Sequence, residues 1–130
     1  MWVVFLVNQI IFMSFPDYFY YHLVWFDIPL HIVGGFAASW TAYLFLKQIK
    51  AEFKPSWLKF ALLIGFTCFA AVIWEVYEFY HDMIFKEFVY QAGALDTMAD
   101  FADGLIGAIL FCVGVWWKGR FASLPFVKGG

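Results

Sequence analysis

The chain has 130 residues, of which 65% are hydrophobic, 25% aromatic and only 14% charged. Water-soluble domains usually carry about a quarter charged residues and less than half apolar ones. This composition therefore excludes an ordinary soluble domain, which would expose large apolar patches and aggregate. The formal net charge of −2 gives no basis for nucleic-acid binding. We expect one integral membrane domain over residues 1–130, with membrane lipids around it and no nucleic-acid partner.

Four apolar segments predict an all-α, polytopic transmembrane helix bundle of about four spans, because a hydrocarbon core of about 30 Å requires roughly 20 helical residues. The predicted spans cover residues 2–20, 28–47, 57–80 and 96–117. Pro16 interrupts the first span, which is expected either to kink there or to be re-entrant. Asp27 and Asp96 come at the start of the second and fourth spans, where each is predicted to be an N-cap.

The basic residues gather on one side of the predicted membrane. They flank the connector between the second and third spans or follow the fourth span: Lys47, Lys50, Lys54, Lys59, Lys118, Arg120 and Lys128. Only Lys86 lies in the opposite loops. By the positive-inside tendency, the connector and the C-terminus are cytoplasmic, and the N-terminus is cytoplasmic if the first segment crosses.

The acidic residues gather on the opposite, outer side, with Glu52 as the exception. Helical periodicity places Asp27 and His31 on one face of the second span. The same spacing unites Glu75, Glu78 and Asp82 on the third span, and Asp96, Asp100 and Asp103 on the fourth. Small residues such as Gly34 and Gly107 continue these stripes inward, where they allow helices to approach closely. The stripes predict a carboxylate-lined cavity that opens to the outer surface.

Acids inside apolar segments need compensation, because a charged side chain near a helix centre costs at least about 2.5 kcal/mol. Several carboxylates close together cannot all stay ionised in a low dielectric. A divalent metal, bound protons or mutual hydrogen bonds can each compensate them, and these alternatives stay open. Carboxylates suit a hard divalent ion such as Mg, and one imidazole among them widens the choice to Mn, Fe or Zn; the sequence does not distinguish these ions. The candidate metal ligands are His31, Glu75, Glu78, Asp100 and Asp103, with Asp27 and Asp96 as orienting groups, bases or further ligands.

The two cysteines and the other histidines carry no comparable pattern. Cys68 and Cys112 each lie in an apolar run and are expected to be buried small hydrophobic residues. His22 is expected near the outer interface, and His81 points away from the acidic face of its span. The metal hypothesis therefore includes none of these four residues.

The polar stripes resemble a known family. The pattern consists of Asp27-x-x-x-His31 with Gly34-Gly35, then Trp74-Glu75-x-x-Glu78, then Asp96-Thr97-x-x-Asp100-x-x-Asp103-Gly104-x-x-Gly107. It is similar to YjdF-like small bacterial membrane proteins and, more distantly, to VanZ-like proteins. The resemblance covers the second to fourth spans and implies a multi-pass protein of the bacterial plasma (inner) membrane. It implies no reaction, although VanZ-like proteins are linked to glycopeptide resistance at the cell envelope.

Three functions fit these observations. The leading hypothesis is an outward-facing metal site that acts on or binds a lipid or envelope precursor, which would make the protein a metal-dependent membrane enzyme or binding protein. The first alternative is a proton- or cation-linked transporter or ion-binding protein, although the acids stop in the outer half of the spans. The second is a non-catalytic assembly partner, either of another membrane protein or within a homo-oligomer.

Overall fold

The structure is a computed structural model, and it describes residues 26–54, 57–85, 93–117 and 119. In these ranges the chain forms three helices and no strand: α1 (Asp27–Gln48), α2 (Trp57–Ile84) and α3 (Ala94–Trp117). Each helix is long and apolar enough to cross a membrane. For these ranges the predicted all-helical architecture with apolar, membrane-spanning helices is therefore confirmed. The predicted first span, residues 2–20, lies outside the described residues, so the total of four spans and the sidedness of both termini stay predictions.

The two predicted N-caps are wrong, because both helices begin earlier than expected. Phe26 occupies the N-cap position of α1, and Asp27 lies in the first turn. The amide of Thr97 donates to the carbonyl of Gly93 at 3.1 Å, which places Asp96 inside the first turn of α3. A carboxylate in a first turn still interacts favourably with the positive end of the helix dipole.

Helix α1 ends in a tight hydrogen-bonded turn that begins the connector. The amide of Ala51 donates to the carbonyl of Leu46 at 3.1 Å, and that of Lys50 donates to Lys47 at 3.2 Å. This pair of bonds defines a Schellman motif. Lys50 has a φ of 51°, the left-handed conformation that glycine usually supplies at this position. The chain thus leaves α1 within two residues of the C-cap Ile49, directly after Lys47 in the last turn of the helix.

Helices α1 and α3 approach each other through glycine. A Cβ atom on Gly35 would overlap the carbonyl group of Gly104, and one on Gly107 would overlap the carbonyl of Ile32. Two helix backbones come this close only where side chains are absent. Small residues therefore let α1 and α3 approach closely, as predicted. The residue of α1 that makes the contact is Gly35 and not the predicted Gly34. Gly34 has no atom within 4 Å of the position of a Cβ.

Below the acidic residues, the bundle is closed by a packed apolar core. The hydroxyl groups of Ser39 and Thr67 form a buried hydrogen bond of 2.7 Å between α1 and α2. Beyond this bond lies a cluster of buried residues from all three helices: Ala42, Leu63, Phe111, Cys112 and Val115. The ring of Phe111 also meets Phe36 edge-on at a centroid distance of 5.2 Å.

The outward surface of the helices is apolar, as a membrane-spanning bundle requires. Large side chains such as Trp40, Phe69 and Leu110 are exposed on it. Cys68 is exposed as well, so its predicted burial is wrong, whereas Cys112 is buried as expected. The reason is that a lipid-facing helix surface is as apolar as the core, and hydrophobicity alone does not separate the two.

Candidate functional site

Three polar side chains meet where α1 crosses α3. Nε2 of His31 lies 3.3 Å from Oδ1 of Asp27, one turn earlier on the same helix. The same nitrogen lies 3.6 Å from Oδ1 of Asp100 on α3. Asp100 is buried and His31 is largely so, with 13% of its side chain exposed. Two carboxylates from different helices therefore converge on a single imidazole nitrogen.

A second group of acids joins the first through Asp100. Ligand atoms of Glu75, Glu78 and Asp100 lie within 4.8 Å of one another, and all three residues are buried. The indole Nε1 of Trp74 donates to Oε1 of Glu78 at 2.7 Å, which fixes that carboxylate. We call these five residues the acidic cluster: Asp27, His31, Glu75, Glu78 and Asp100. We refer to the helix ends that carry the acidic cluster as the acidic end of the bundle.

A cavity runs from the acidic cluster down between α1 and α2. Its polar end is lined by Asp27, His31, Glu78 and Asp100, and its deepest polar residue is Thr67. Small and apolar residues line the wall between them: Leu30, Gly34, Gly35, Ala38, Ala70, Ala71, Trp74 and Gly104. The cavity is thus polar at one end and apolar along most of its length.

The remaining predicted site residues lie outside these groups. Asp96 and Asp103 are both half-buried on α3, and neither belongs to a set of converging ligand atoms among the described residues. Their roles stay predictions. His81 lies in the last turn of α2, where its ring is 4.9 Å from that of Phe85 and its Nδ1 is 3.7 Å from Asp82.

No lysine or arginine of the described segments lies at the acidic end. The basic residues in these segments are Lys47, Lys50, Lys54 and Lys59, which lie in the last turn of α1, the connector and the first turn of α2. Within the described segments, His31 is thus the only member of the acidic cluster that can carry positive charge. Several buried carboxylates near one imidazole favour the binding of cations or protons.

Comparison with known proteins places the chain in a family. Residues 1–120 match a family described as "Predicted membrane protein (DUF2238)". The chain belongs to this family. An uncharacterized protein from Thermotoga maritima is 33% identical to it over 112 residues, which cover 82% of the chain and 57% of that relative. The chain thus spans little more than half the length of this relative. No solved structure matches it.

Membership of the DUF2238 family can be compared with the two predicted resemblances, to YjdF-like and to VanZ-like proteins. The family is a group of predicted membrane proteins, which agrees with the resemblance to YjdF-like membrane proteins. The more distant likeness to VanZ-like proteins stays a prediction. The descriptions of the family and of the Thermotoga relative name no activity.

Sequence reasoning missed the hydroxyl pair at the floor of the cavity of this DUF2238 protein. Ser39 and Thr67 are both buried, and Thr67 also donates to the carbonyl of Leu63 at 3.1 Å. A usable signal existed, because Thr67 lies about three helical turns before Glu78 and therefore on the same face of α2. Extending the acidic stripe of α2 inward would have found it.

Proposed function

We propose that this protein binds a divalent metal ion where Asp27, His31 and Asp100 meet. The supporting observation is the approach of two carboxylate oxygens to one imidazole nitrogen, at 3.3 and 3.6 Å. A single imidazole N–H donates one hydrogen bond well, and charge-assisted bonds are usually about 2.7–2.9 Å long. Around an ion with ligand bonds of about 2.1 Å, tetrahedral neighbours lie roughly 3.4 Å apart. The observed spacing suits ligands that share one ion, and the shorter approach also allows a hydrogen bond between His31 and Asp27.

The donor set narrows the choice of ion. One nitrogen and several carboxylate oxygens suit Mn, Fe or Zn, whereas Ca and Mg sites are built from oxygen alone. Glu78 and Glu75 supply further negative charge next to Asp100, and Trp74 holds Glu78 in place. Asp96 and Asp103 are proposed as groups that orient a ligand or move a proton, because they lie on the same helix within about one turn of Asp100.

The metal in turn gives the protein a means of binding an anion. No lysine or arginine of the described segments lies at the acidic end, so among the described groups a bound ion would be what attracts a phosphate or carboxylate. A bound divalent ion polarises such a group and lowers the pKa of a bound water. We propose that the acidic end faces the outside of the plasma membrane, as the basic connector predicts. The protein would then bind or act on a lipid or envelope precursor there.

The packed core is unfavourable to the alternative of transport. A transported proton or cation needs polar groups across the whole membrane, yet Leu63, Phe111 and Val115 fill the bundle beyond the Ser39–Thr67 bond. A cavity that ends on an apolar core favours binding or catalysis at one membrane face. Transport through this part of the chain would require the core to open.

Metal analysis of the purified full chain tests the proposal. The wild type should contain about one divalent ion per chain, its melting temperature should fall in chelator, and one preferred ion should restore it, because a ligand specific for the folded state stabilises that state. His31→Asn should lose both the ion and the chelator effect. His81→Asn is the matched control, because His81 lies in neither ligand group of the described residues, and it should behave as the wild type does.

A double amide variant separates metal binding from structural hydrogen bonding. Glu75→Gln with Glu78→Gln keeps shape and hydrogen-bonding capacity but removes two charges. If the acids only form hydrogen bonds, the variant melts like the wild type or slightly higher. If they hold an ion, metal content and its thermal shift fall together. A wild type without metal and with the same melting curve in chelator would refute the metal site.

A further inference from the structure

The cavity between α1 and α2 has the polarity of a lipid molecule. Asp27, His31, Glu78 and Asp100 line one end, and small or apolar side chains line the rest. The only polar side chain deeper in its lining is Thr67, whose hydroxyl bonds with Ser39 and donates to the carbonyl of Leu63. A ligand that fills the whole cavity therefore needs a polar head and an apolar tail.

The apolar part of the cavity reaches about two thirds of the way through one leaflet. His31, where the phosphate would lie, and Ala38 near the floor are separated along α1 by roughly 10 Å, at about 1.5 Å per residue. Half of a hydrocarbon core of about 30 Å is roughly 15 Å. An acyl chain of the leaflet on the acidic side would lie along the wall for this depth, from the acidic cluster to the Ser39–Thr67 bond.

An extended peptide segment, whose backbone groups need partners, fits this cavity less well than a hydrocarbon chain does. The helices α1 and α2 use their own backbone groups internally, so the apolar wall offers no partners for a peptide backbone. Water is likewise disfavoured against Gly34, Ala70 and Ala71, because a buried water needs polar partners. The apolar wall is thus suited to a chain that carries no hydrogen-bonding group.

We infer that the cavity binds one acyl chain of a glycerophospholipid, whose phosphate lies at the metal site. The inference rests on the proposed metal site for the headgroup, and on the cavity wall alone for the chain. The phosphate oxygens supply ligands to an ion held by His31 and Asp100. The tail lies along Gly34, Ala38 and Ala71 and ends above the hydroxyl pair.

Gly34 offers a way to fill the cavity without disturbing the helix contacts. No atom lies within 4 Å of the position of a Cβ on Gly34, although the residue lines the cavity. Gly65 on α2 also has no atom within 4 Å of such a Cβ, but it is exposed and does not line the cavity. The substitutions Gly34→Leu and Gly65→Leu therefore form a matched pair with the same gain in helix propensity.

The experiment measures lipid binding to the full chain in detergent, loaded with Zn²⁺, by native mass spectrometry and titration. The probe is palmitoyl lysophosphatidylglycerol, with glycerol phosphate as the headgroup without a chain. The wild type and Gly65→Leu should bind the lipid with affinities within about twofold of each other. Gly34→Leu should bind it at least tenfold more weakly, which corresponds to about 1.4 kcal/mol. Both variants should retain Zn²⁺, which shows that the cluster is intact.

The outcomes separate the tail site from the metal site. Equal lipid binding by Gly34→Leu and the wild type would overturn the inference, as would glycerol phosphate binding as tightly as the lipid. If the wild type binds no Zn²⁺, the proposed function fails, and the comparison of the two leucine variants in chelator still tests the tail. If Gly34→Leu loses Zn²⁺ or elutes as an aggregate, Gly34→Val with Gly65→Val as its control repeats the comparison with a smaller side chain.

Discussion

Gly35 of α1 lies against the carbonyl group of Gly104 of α3, so closely that a Cβ on Gly35 would overlap it. The contact is one helical turn from the acidic cluster on both helices, because Gly35 follows His31 by four residues and Gly104 follows Asp100 by four. The separation of 3.6 Å between His31 and Asp100 therefore depends on two residues that have no side chains. A change in the packing of α1 against α3 should therefore also change the geometry of the candidate metal site.

Replacing Gly35 with alanine should destabilise the bundle and weaken metal binding together. The added methyl group overlaps a backbone carbonyl, and overpacking of this kind typically costs about 1–3 kcal/mol. If α1 and α3 move apart, the His31–Asp100 spacing lengthens with them. Thermal unfolding and a metal titration of the same preparations would measure both effects.

Gly114→Ala is the matched control for this substitution. It lies on α3, it is exposed, and no atom lies within 4 Å of the position of its Cβ. The control should melt at or slightly above the wild-type temperature, because alanine is the better helix former. If Gly35→Ala melted like the control and bound metal normally, the close α1–α3 contact would be wrong.

The hydroxyl pair should contribute modestly to stability. Ser39→Ala and Thr67→Val each break the bond of 2.7 Å between α1 and α2. Hydrogen bonds between transmembrane helices have coupling energies of about 0.6 kcal/mol on average and about 1.7 kcal/mol at most. A double-mutant cycle followed by reversible unfolding should give a coupling in that range. A coupling indistinguishable from zero would mean that the pair does not join the two helices.

The sequence predicted which residues share a helix face but not which residues touch. Periodicity placed Asp27 with His31, and Glu75 with Glu78, and the structure brings both pairs to the acidic end. It assigned the close approach to Gly34 and not to its chain neighbour Gly35. Gly35 meets α3 and Gly34 lines the cavity, and this difference is set by the rotation of α1 against its partners.

The sequence also failed to predict at which residue two of the helices begin and that Cys68 is exposed. Asp27 and Asp96 looked like caps because acids are favoured there, yet a first-turn acid gains similar stabilisation from the helix dipole. Cys68 looked buried because it lies in an apolar run and free cysteine is commonly buried, but it follows the buried Thr67 by one residue and so lies on a different face of α2. Distances within the acidic cluster depend on how three helices pack together, which no single periodic pattern contains.

Trp74→Phe should weaken metal binding without disrupting the fold. The indole of Trp74 donates to Glu78 at 2.7 Å, and phenylalanine keeps the ring but removes the donor. Loss of a group that orients a ligand typically lowers metal affinity by about 10–100-fold. Trp40→Phe is the control, since Trp40 is exposed on α1. If Trp74→Phe retained wild-type affinity, the bond from Trp74 to Glu78 would not contribute to the metal site.

Sidedness can be measured with single cysteines at the two ends of the bundle. In a background of Cys68→Ser and Cys112→Ala, Glu52→Cys reports the connector and Leu95→Cys reports the start of α3. Both native residues are exposed, Leu95 with 87% of its surface. Because Lys47, Lys50 and Lys54 surround the connector, the positive-inside tendency predicts that it is cytoplasmic. A membrane-impermeant maleimide added to intact cells should therefore label Leu95→Cys, and label Glu52→Cys only after lysis.

The reverse labelling pattern would change the proposal in a defined way. It would place the acidic end in the cytoplasm, where an ion at His31 and Asp100 would meet the inner leaflet instead of the cell envelope. Metal binding and the acyl-chain cavity would stand, because both depend on contacts within the bundle. The assignment to an envelope precursor would fall, because its only support is the side of the membrane on which the acidic cluster opens.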